Sequence, residues 1–419
     1  MGDSKKGGCM VRRSNDQIIT SIDVGTTKIC VLIARKISDR IDIIGVGKSP
    51  SHGLEKGVVV DVAKTINSII NAVKEAEMMA GLSVDSAYIG ISGGHIKAVN
   101  SSGVVAIKNG QIKQSDVAQA LEAAQAIPIE KDRQILHVLP QYFVINGQDR
   151  VQDPVGMHGV RLEVQAHIIT GSVSSVQNLI YCCQGAGIEI IDIILEQLAS
   201  AEAVLSEDER SLGVAVLDIG GGTSDLALYK NSAVRHTKVI PVAGNHVTND
   251  IAIGLRVMKH EAERIKKMYG SAYAPVVEQE QLIEVEMMHG EDLQIVRLSD
   301  LVRIIQLRIE ELFTLVNHEI VSYDLHHLMT NGIVLTGGGA LLQDIHIVAE
   351  RIFDCPVRIG RPRVFFDLLE TLQSPLYATG YGLLVYVLNN ENKLNMHLDE
   401  GSLSQRVVAR MKSWIADFF

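Results

Sequence analysis

Short apolar runs bounded by Gly, Thr and charged turns alternate along this chain with stretches whose apolar positions recur at helical spacing. That is the pattern of an α/β protein. The segment IITSIDVGTTKICVLIARK (18–36) is an apolar run, a Gly/Thr turn and a second apolar run. GVAVLDIGGGTSDLALYKN (213–231) repeats that design. Each predicts a strand–turn–strand hairpin, and each is followed by a further strand, RIDIIGVGKS (40–49) and SAVRHTKVIP (232–241). Asp23 and Asp218 hold the same place in the two copies. They lie about 195 residues apart, a domain's length, so the repeat predicts duplicated α/β domains rather than a solenoid of short units. NGIVLTGGGALLQDI (331–345) adds a buried strand, the triplet Gly337-Gly338-Gly339 and a helical pattern.

The two turns carry a specific chemistry. Gly25 and Gly220, Gly221 and Gly222 let backbone N–H groups approach an anion that a Cβ would obstruct. Thr26, Thr27 and Thr223 add hydroxyls, and Lys28 adds a charge. Asp23 and Asp218, at strand ends beside the phosphates, make sense with a divalent metal between the charges, held through water. Two such hairpins facing each other would hold a Mg-bound polyphosphate. A single copy is as readily a plain tight hairpin; two copies at domain spacing favour the ligand. The triplet Gly337–Gly339 predicts a helix N-terminus that receives a phosphate or ribose edge, and no Gly-Lys-Ser/Thr follows it as in a Walker A loop.

Composition narrows the classes. The 419 residues exceed one ordinary core, 47% are hydrophobic, and no apolar run is long enough to span a bilayer. A net charge of −10 argues against a general nucleic-acid binder. Residues 1–17 are polar and basic without a following apolar core, which predicts a disordered lead-in rather than a secretory signal, with Met10 as an alternative start. Five cysteines, with Cys182 and Cys183 adjacent, form no C-x-x-C pair and imply a reducing compartment.

The last segment is different in kind. NNENKLNMHLDEGS (389–402) predicts a flexible linker, and residues 403–419 an amphipathic helix. On a helical wheel Leu403, Val407, Met411, Trp414, Ile415, Phe418 and Phe419 share an arc roughly 160° wide. Arg406, Arg410 and Lys412 against Asp417 leave this segment at +2. Packing on the chain's own core or on a partner are the plainer readings of such a stripe. A polar tether, with Trp and Phe opposite Arg and Lys, favours insertion at an anionic membrane surface.

The cleft motifs resemble those of the actin-like ATPase superfamily. IDVGTTK is similar to its first phosphate loop, LDIGGGTSDLAL to its second and VLTGGGALL to its adenosine loop. IDIILEQLASAEAVL (191–205) and SPLYATGYGLLVY (374–386) fall where its two connecting helices belong. Within that superfamily SHGLEKGVVVD (51–61), YIGISGGHI (88–96), HTKVIPVAGNHVTNDIA (236–252) and VRIGRP (357–362) resemble the FtsA family of bacterial cell-division proteins. The implied fold is a pair of duplicated actin-like (ribonuclease H-like) domains with an inserted 1C subdomain and a terminal amphipathic helix. The implied boundaries are 18–85 and 166–210 for domain 1A, 86–165 for 1C, 211–244 and 331–388 for domain 2A, and 245–330 for subdomain 2B. In 1C, 115–127 reads as a helix, and 133–145 and 160–170 as strands.

The resemblance also implies ATP and Mg²⁺ as ligands, with at most weak hydrolysis. Glu263 and Lys266, in HEAERIKKMYG (260–270), would hold the nucleoside, although the same spacing suits a plain i,i+3 pair on a solvated face. Glu196 would orient the attacking water. Gln197 follows it where the family more often has Pro, which leaves turnover open. By the same resemblance the partners are the C-terminal peptide of the tubulin-like protein FtsZ, bound on 2B near Arg303 and Arg308, further copies of the chain, and later division proteins at 1C. The implied place is the cytoplasmic face of the inner membrane at the division site. Two alternatives share the fold: a PilM-like scaffold of type IV pilus assembly, and an ATPase or kinase of the sugar-kinase or chaperone kind. A chaperone would carry a substrate-binding domain where this sequence has only a linker and helix.

Overall fold

The computed structural model describes residues 17–37, 40–108, 110–274, 281–287, 293–363 and 370–395. The expected lead-in up to residue 16, the end of the expected linker and the whole of 403–419, with Trp414, Ile415, Phe418 and Phe419, lie outside the described residues.

The first half begins as an antiparallel meander of β1 (Gln17–Val24), β2 (Lys28–Ile37) and β3 (Arg40–Pro50). A small hairpin, β4 (Leu54–Glu55) with β5 (Val58–Val59), leads into α1 (Val62–Ala80). Asp61 starts that helix by accepting the N–H of Lys64 on its side chain, and Gly81 ends it in the left-handed region. Strand β6 (Ser86–Ile91) then runs parallel to β1.

An inserted unit follows: β7 (Lys97–Ala106), α2 (Gln114–Ala124), β8 (Arg133–Ile145), β9 (Gln148–Val151) and β10 (Arg161–Ser172). Its sheet has the order β7-β10-β8-β9, with α2 packed on one face over its own small core. Helix α3 (Val173–Gly185), which buries Cys182 and Cys183, returns the chain to β11 (Glu189–Leu195), parallel to β6. The first sheet is thus β3-β2-β1-β6-β11.

The expected boundary of the insert needs correction here. Ser86–Ile91 was assigned to it, but these residues pair with β1 and β11 inside the first sheet. At the far end β10 continues the insert sheet to Ser172 rather than stopping at 165.

After α4 (Glu196–Val204) and α5 (Glu207–Leu212) the second half repeats the first. Strands β12 (Val214–Ile219), β13 (Ser224–Lys230) and β14 (Ala233–Ile240) form an antiparallel meander. Helices α6 (Gly244–Leu255) and α7 (Lys259–Tyr269), the hairpin β15 (Leu282–Glu286) and β16 (Leu293–Arg297), and α8 (Leu298–Ser322) form a side unit. The chain then adds β17 (Ile333–Thr336), α9 (Ile345–Phe353) and β18 (Val357–Ile359), giving the order β14-β13-β12-β17-β18. Two sheets with one topology confirm the duplication expected from the paired hairpins. Their central strands are buried on both faces, which is why they read as continuous apolar runs.

The last described helix, α10 (Ala378–Asn395), crosses back and packs on α4 and on β1, β2 and β6. A Cβ on Gly382 would lie 1.9 Å from the carbonyl oxygen of Ala199, so only glycine allows the two helices to cross so closely. Two expectations shift. The segment 191–205 is a strand to Leu195 and a helix only from Glu196. Residues 389–395, expected as linker, continue α10.

Candidate functional site

Two tight turns close the hairpins and meet across a cleft of about 800 Å³. In the first, the N–H of Gly25 donates to the carbonyl of Lys28 (3.1 Å); in the second, Gly220 donates to Thr223 (2.9 Å). A Cβ on Gly221 would sit 1.8 Å from Thr27 Oγ1, and one on Gly222 2.5 Å from Thr26 Oγ1. Side chains on the second turn would therefore fill the space between the loops. Thr27 Oγ1 also donates to Asn245 Oδ1 (3.4 Å), at the start of α6. Asp23, Gly25, Thr26, Thr27, Lys28, Glu196, Asp218, Gly220, Gly221, Gly222, Thr223, Glu263, Lys266, Gly337, Gly338 and Gly339 all line this one cleft.

The electrostatics are unusual. Lys28 Nζ lies 3.3 Å from Asp23 Oδ2. Burial alone would lower the lysine's pKa, but Asp23, together with Cys30 and Tyr377, outweighs it and holds the ammonium above its ordinary value. Asp218 Oδ2 accepts from Ser200 Oγ and from Thr379 Oγ1 (2.9 Å), on α4 and α10. Burial nevertheless pushes the Asp218 carboxyl up. Asp225 accepts from Ser92 Oγ (2.5 Å) and Thr223 Oγ1 (3.0 Å), and burial pushes it up to about 7. Glu196 is pushed well up by burial and by the nearby Asp23, Asp225 and Asp218. Four carboxyls thus crowd one lysine at the mouth of two amide-lined turns.

That donor set fits a polyphosphate carried with a divalent cation. The turns and Lys28 offer donors to phosphate oxygens, while a cation would relieve the crowded carboxylates. Among the described residues no group of three His, Cys, Asp or Glu stands close enough to ligate a metal directly.

On the far side of the cleft, Glu263 and Lys266 form an ion pair of 2.6 Å, and Thr248 Oγ1 donates to the same carboxylate oxygen (2.6 Å). The two open readings of this pair are therefore compatible: it is an i,i+3 pair and it lines the cleft. Burial holds Lys266 below its ordinary pKa despite Glu263, whereas burial of Glu263 is outweighed by Lys266, Thr248 and Lys267 together, which hold its carboxyl low. Val247, Ile309, Leu312 and Leu341 give this side an apolar wall suited to a flat ring. Gly337, with φ +83°, approaches so closely that a Cβ would meet Asp218 Oδ1 at 2.2 Å. The expected helix does not open there. Residues 338–341 form a single 3₁₀ turn, and α9 starts only at Ile345.

Arg308 is a correction. It was expected on a partner groove, but it lines the cleft and makes a two-point ion pair with Asp250 (2.5 and 3.0 Å). Arg303 is exposed on α8. Sequence reading missed Asp225, Ser92 and the Gly244–Asn245 step, all of which line the cleft. The aspartate had a signal: the hairpin register sets Asp225 directly opposite Asp218, whereas Cys30 stands opposite Asp23.

Comparison with known proteins places these features. The family model described as cell division protein FtsA matches residues 215–382, and that of the SHS2 domain inserted in FtsA matches 93–170, the β7–β10 unit. The chain is 40% identical over 417 residues to cell division protein FtsA of Pseudomonas aeruginosa, covering 98% of this chain and 100% of that protein. It is 36% identical over 414 residues to the same protein of Escherichia coli K12, covering 97% of each. For Bacillus subtilis the figures are 36% over 402 residues, 94% of this chain and 90% of the relative. Among solved structures, a PilM–PilN type IV pilus biogenesis complex superposes with a TM-score of 0.64 at 15% identity, covering 88% of this chain and 98% of the other. MreB5 of Spiroplasma citri bound to AMPPNP gives 0.56 at 15% identity, covering 91% and 99%. These two are similar in fold, which is actin-like.

Proposed function

The chain belongs to the FtsA family of cell-division proteins, and from that premise we propose that it is a Mg-ATP-binding adaptor holding the FtsZ ring to the cytoplasmic face of the inner membrane. The observation that carries the nucleotide part is the meeting of two amide-lined turns around Lys28, Asp23 and Asp218 in one cleft. Amides of Thr26, Thr27, Gly221 and Gly222, with Lys28 Nζ, bind phosphate oxygens, while those of Gly25 and Gly220 close the turns. Asp23 and Asp218 hold Mg²⁺ through water. Glu263 and Lys266 hold the nucleoside, and Glu196 orients water for slow hydrolysis. Bound ATP contributes the phosphoanhydride, and Mg²⁺ neutralises its charge. Closing the cleft on the nucleotide favours association between copies of the chain.

Partner capture falls to the side unit made by α6, α7, β15, β16 and α8. There the exposed Ile253 and Leu307 accompany Arg303, a surface suited to an apolar peptide with acidic residues such as the FtsZ C-terminus. Arg308, tied to Asp250, is left out of this role. The amphipathic stripe of 403–419 binds anionic lipid, and self-association multiplies weak tails into firm attachment. Among the described residues no helix is long and apolar enough to cross a membrane. The inserted unit offers sheet edges to later division proteins. The pilus-scaffold and kinase alternatives are not favoured, because the likeness to the pilus protein is one of fold at 15% identity.

A synthetic FtsZ C-terminal peptide, presented to the full chain with and without Mg-ATP, tests the adaptor reading. Capture is expected, and Arg303→Glu should weaken it about tenfold. Equal capture by the variant would remove Arg303 from the groove, and no capture by the intact chain would refute the reading.

A further inference from the structure

The inserted unit is bonded at three separate points to the elements that build the nucleotide cleft. Its root is Ser92, the residue between β6 and the insert, which is buried and lines the cleft. Ser92 Oγ donates to Asp225 Oδ1 at 2.5 Å and lies 3.3 Å from Thr223 Oγ1, so the stem of the insert is bonded to the second phosphate turn. A second contact comes from β8. His137 Nε2 accepts the backbone N–H of Leu195 at 3.1 Å. Leu195 ends β11 and is the cap of α4, immediately ahead of Glu196.

The third contact is the seat of the sheet itself. Gln141 Nε2, on β8, donates to the carbonyls of Val234 (2.9 Å) and Arg235 (3.2 Å) on β14. His167, on β10, bridges Asn100 Oδ1 (2.6 Å) and Thr237 Oγ1 (2.9 Å), again joining the insert to β14. Since Asn100 Oδ1 can only accept, Nδ1 carries the proton and Nε2 accepts from Thr237. Strand β14 pairs along β13, whose second residue is Asp225. Gln141 and His167 are buried, so breaking this seat would strand polar groups away from water. A shift of the second phosphate hairpin must therefore carry the insert with it or break these bonds.

We propose that the insert is a nucleotide-reading arm. The state of the second phosphate turn is passed to it through Ser92, His137 and the β14 seat, and anything docked on the insert changes nucleotide affinity by the same factor in return. His137 and Gln141 act as positioning residues: the first fixes the start of α4 beside Glu196, the second fixes β14. This rests on the nucleotide reading of the cleft. It adds to that reading a mechanical link between the cleft and the surface the insert presents to partners.

The test uses the full chain, a fluorescent ATP analogue with Mg²⁺, and amide hydrogen exchange over 97–106 and 161–172. In the intact chain, nucleotide is expected to slow exchange in both strands. His137→Leu and Gln141→Ala should each weaken nucleotide binding about fivefold or more and erase that protection. His137→Gln keeps an acceptor and should restore most of both. Should His137→Leu fail to fold by circular dichroism, Gln141→Ala and the wild-type exchange still decide the matter. If the intact chain binds nucleotide while exchange in the insert is unmoved and the variants bind as tightly, the arm is refuted and the nucleotide reading stands. If the intact chain binds no nucleotide, both fall.

Discussion

Lowering the pH from 7 to 5 should weaken the seat of the insert through one residue, His167. Burial, and the neighbouring His236, push this imidazole down to about 3 from an ordinary 6.5. Its side chain is 1% exposed and bonded on both ring nitrogens as the neutral form. As pH falls, the unfolded chain takes up the proton first. The contribution is therefore intact above 6.5 and is lost progressively between 6.5 and 3. At pH 5, about 1.5 units below the unfolded value, the loss is about 2 kcal/mol. Urea unfolding followed by circular dichroism at both pH values, on wild type and His167→Gln, isolates this effect. Glutamine can still donate to Asn100 and accept from Thr237, but it does not titrate. Wild type should lose about 2 kcal/mol more than the variant between pH 7 and 5. Equal losses would show that His167 is not held neutral at this junction.

Three further outcomes follow from the geometry. Gly382→Ala drives a Cβ to 1.9 Å from the Ala199 carbonyl, backbone against backbone, and should cost about 3 kcal/mol; an unchanged thermal midpoint would contradict the α4–α10 crossing. Asp225, raised to about 7 by burial, contributes stability to the nucleotide-free chain that is lost as pH rises through 7. Asp225→Asn should flatten that loss in thermal unfolding at pH 5.5 and 8, and a variant with the same pH slope would argue against it. Deleting 403–419 should abolish most co-sedimentation with anionic liposomes, and undiminished binding would exclude the tail as the anchor.

The two Gly/Thr turns were legible because their signal is local. A Gly/Thr turn between two apolar runs fixes a hairpin wherever the chain places it, and the second copy revealed the duplication. What escaped depends on pairing or on helix rotation. Asp225 gains meaning only when the hairpin closes and sets it opposite Asp218. Ser86–Ile91 is the same apolar strand in either unit, and only its ladders to β1 and β11 decide between them. Arg303 and Arg308, five residues apart on α8, point about 140° apart. One therefore meets solvent and the other the cleft. The polar run from Asn389 looks like linker, yet Asn389 Nδ2 bonds Glu202 (2.9 Å) where the helix continues.

Binding of Mg-ATP to the full chain, measured by calorimetry beside Asp218→Ala, tests the central claim most directly. The cleft as described should bind ATP with Mg²⁺, bind it more weakly when Mg²⁺ is chelated, and lose affinity about tenfold or more in the variant. Equal affinity in wild type and variant, with or without Mg²⁺, would mean that the facing turns are not a nucleotide site.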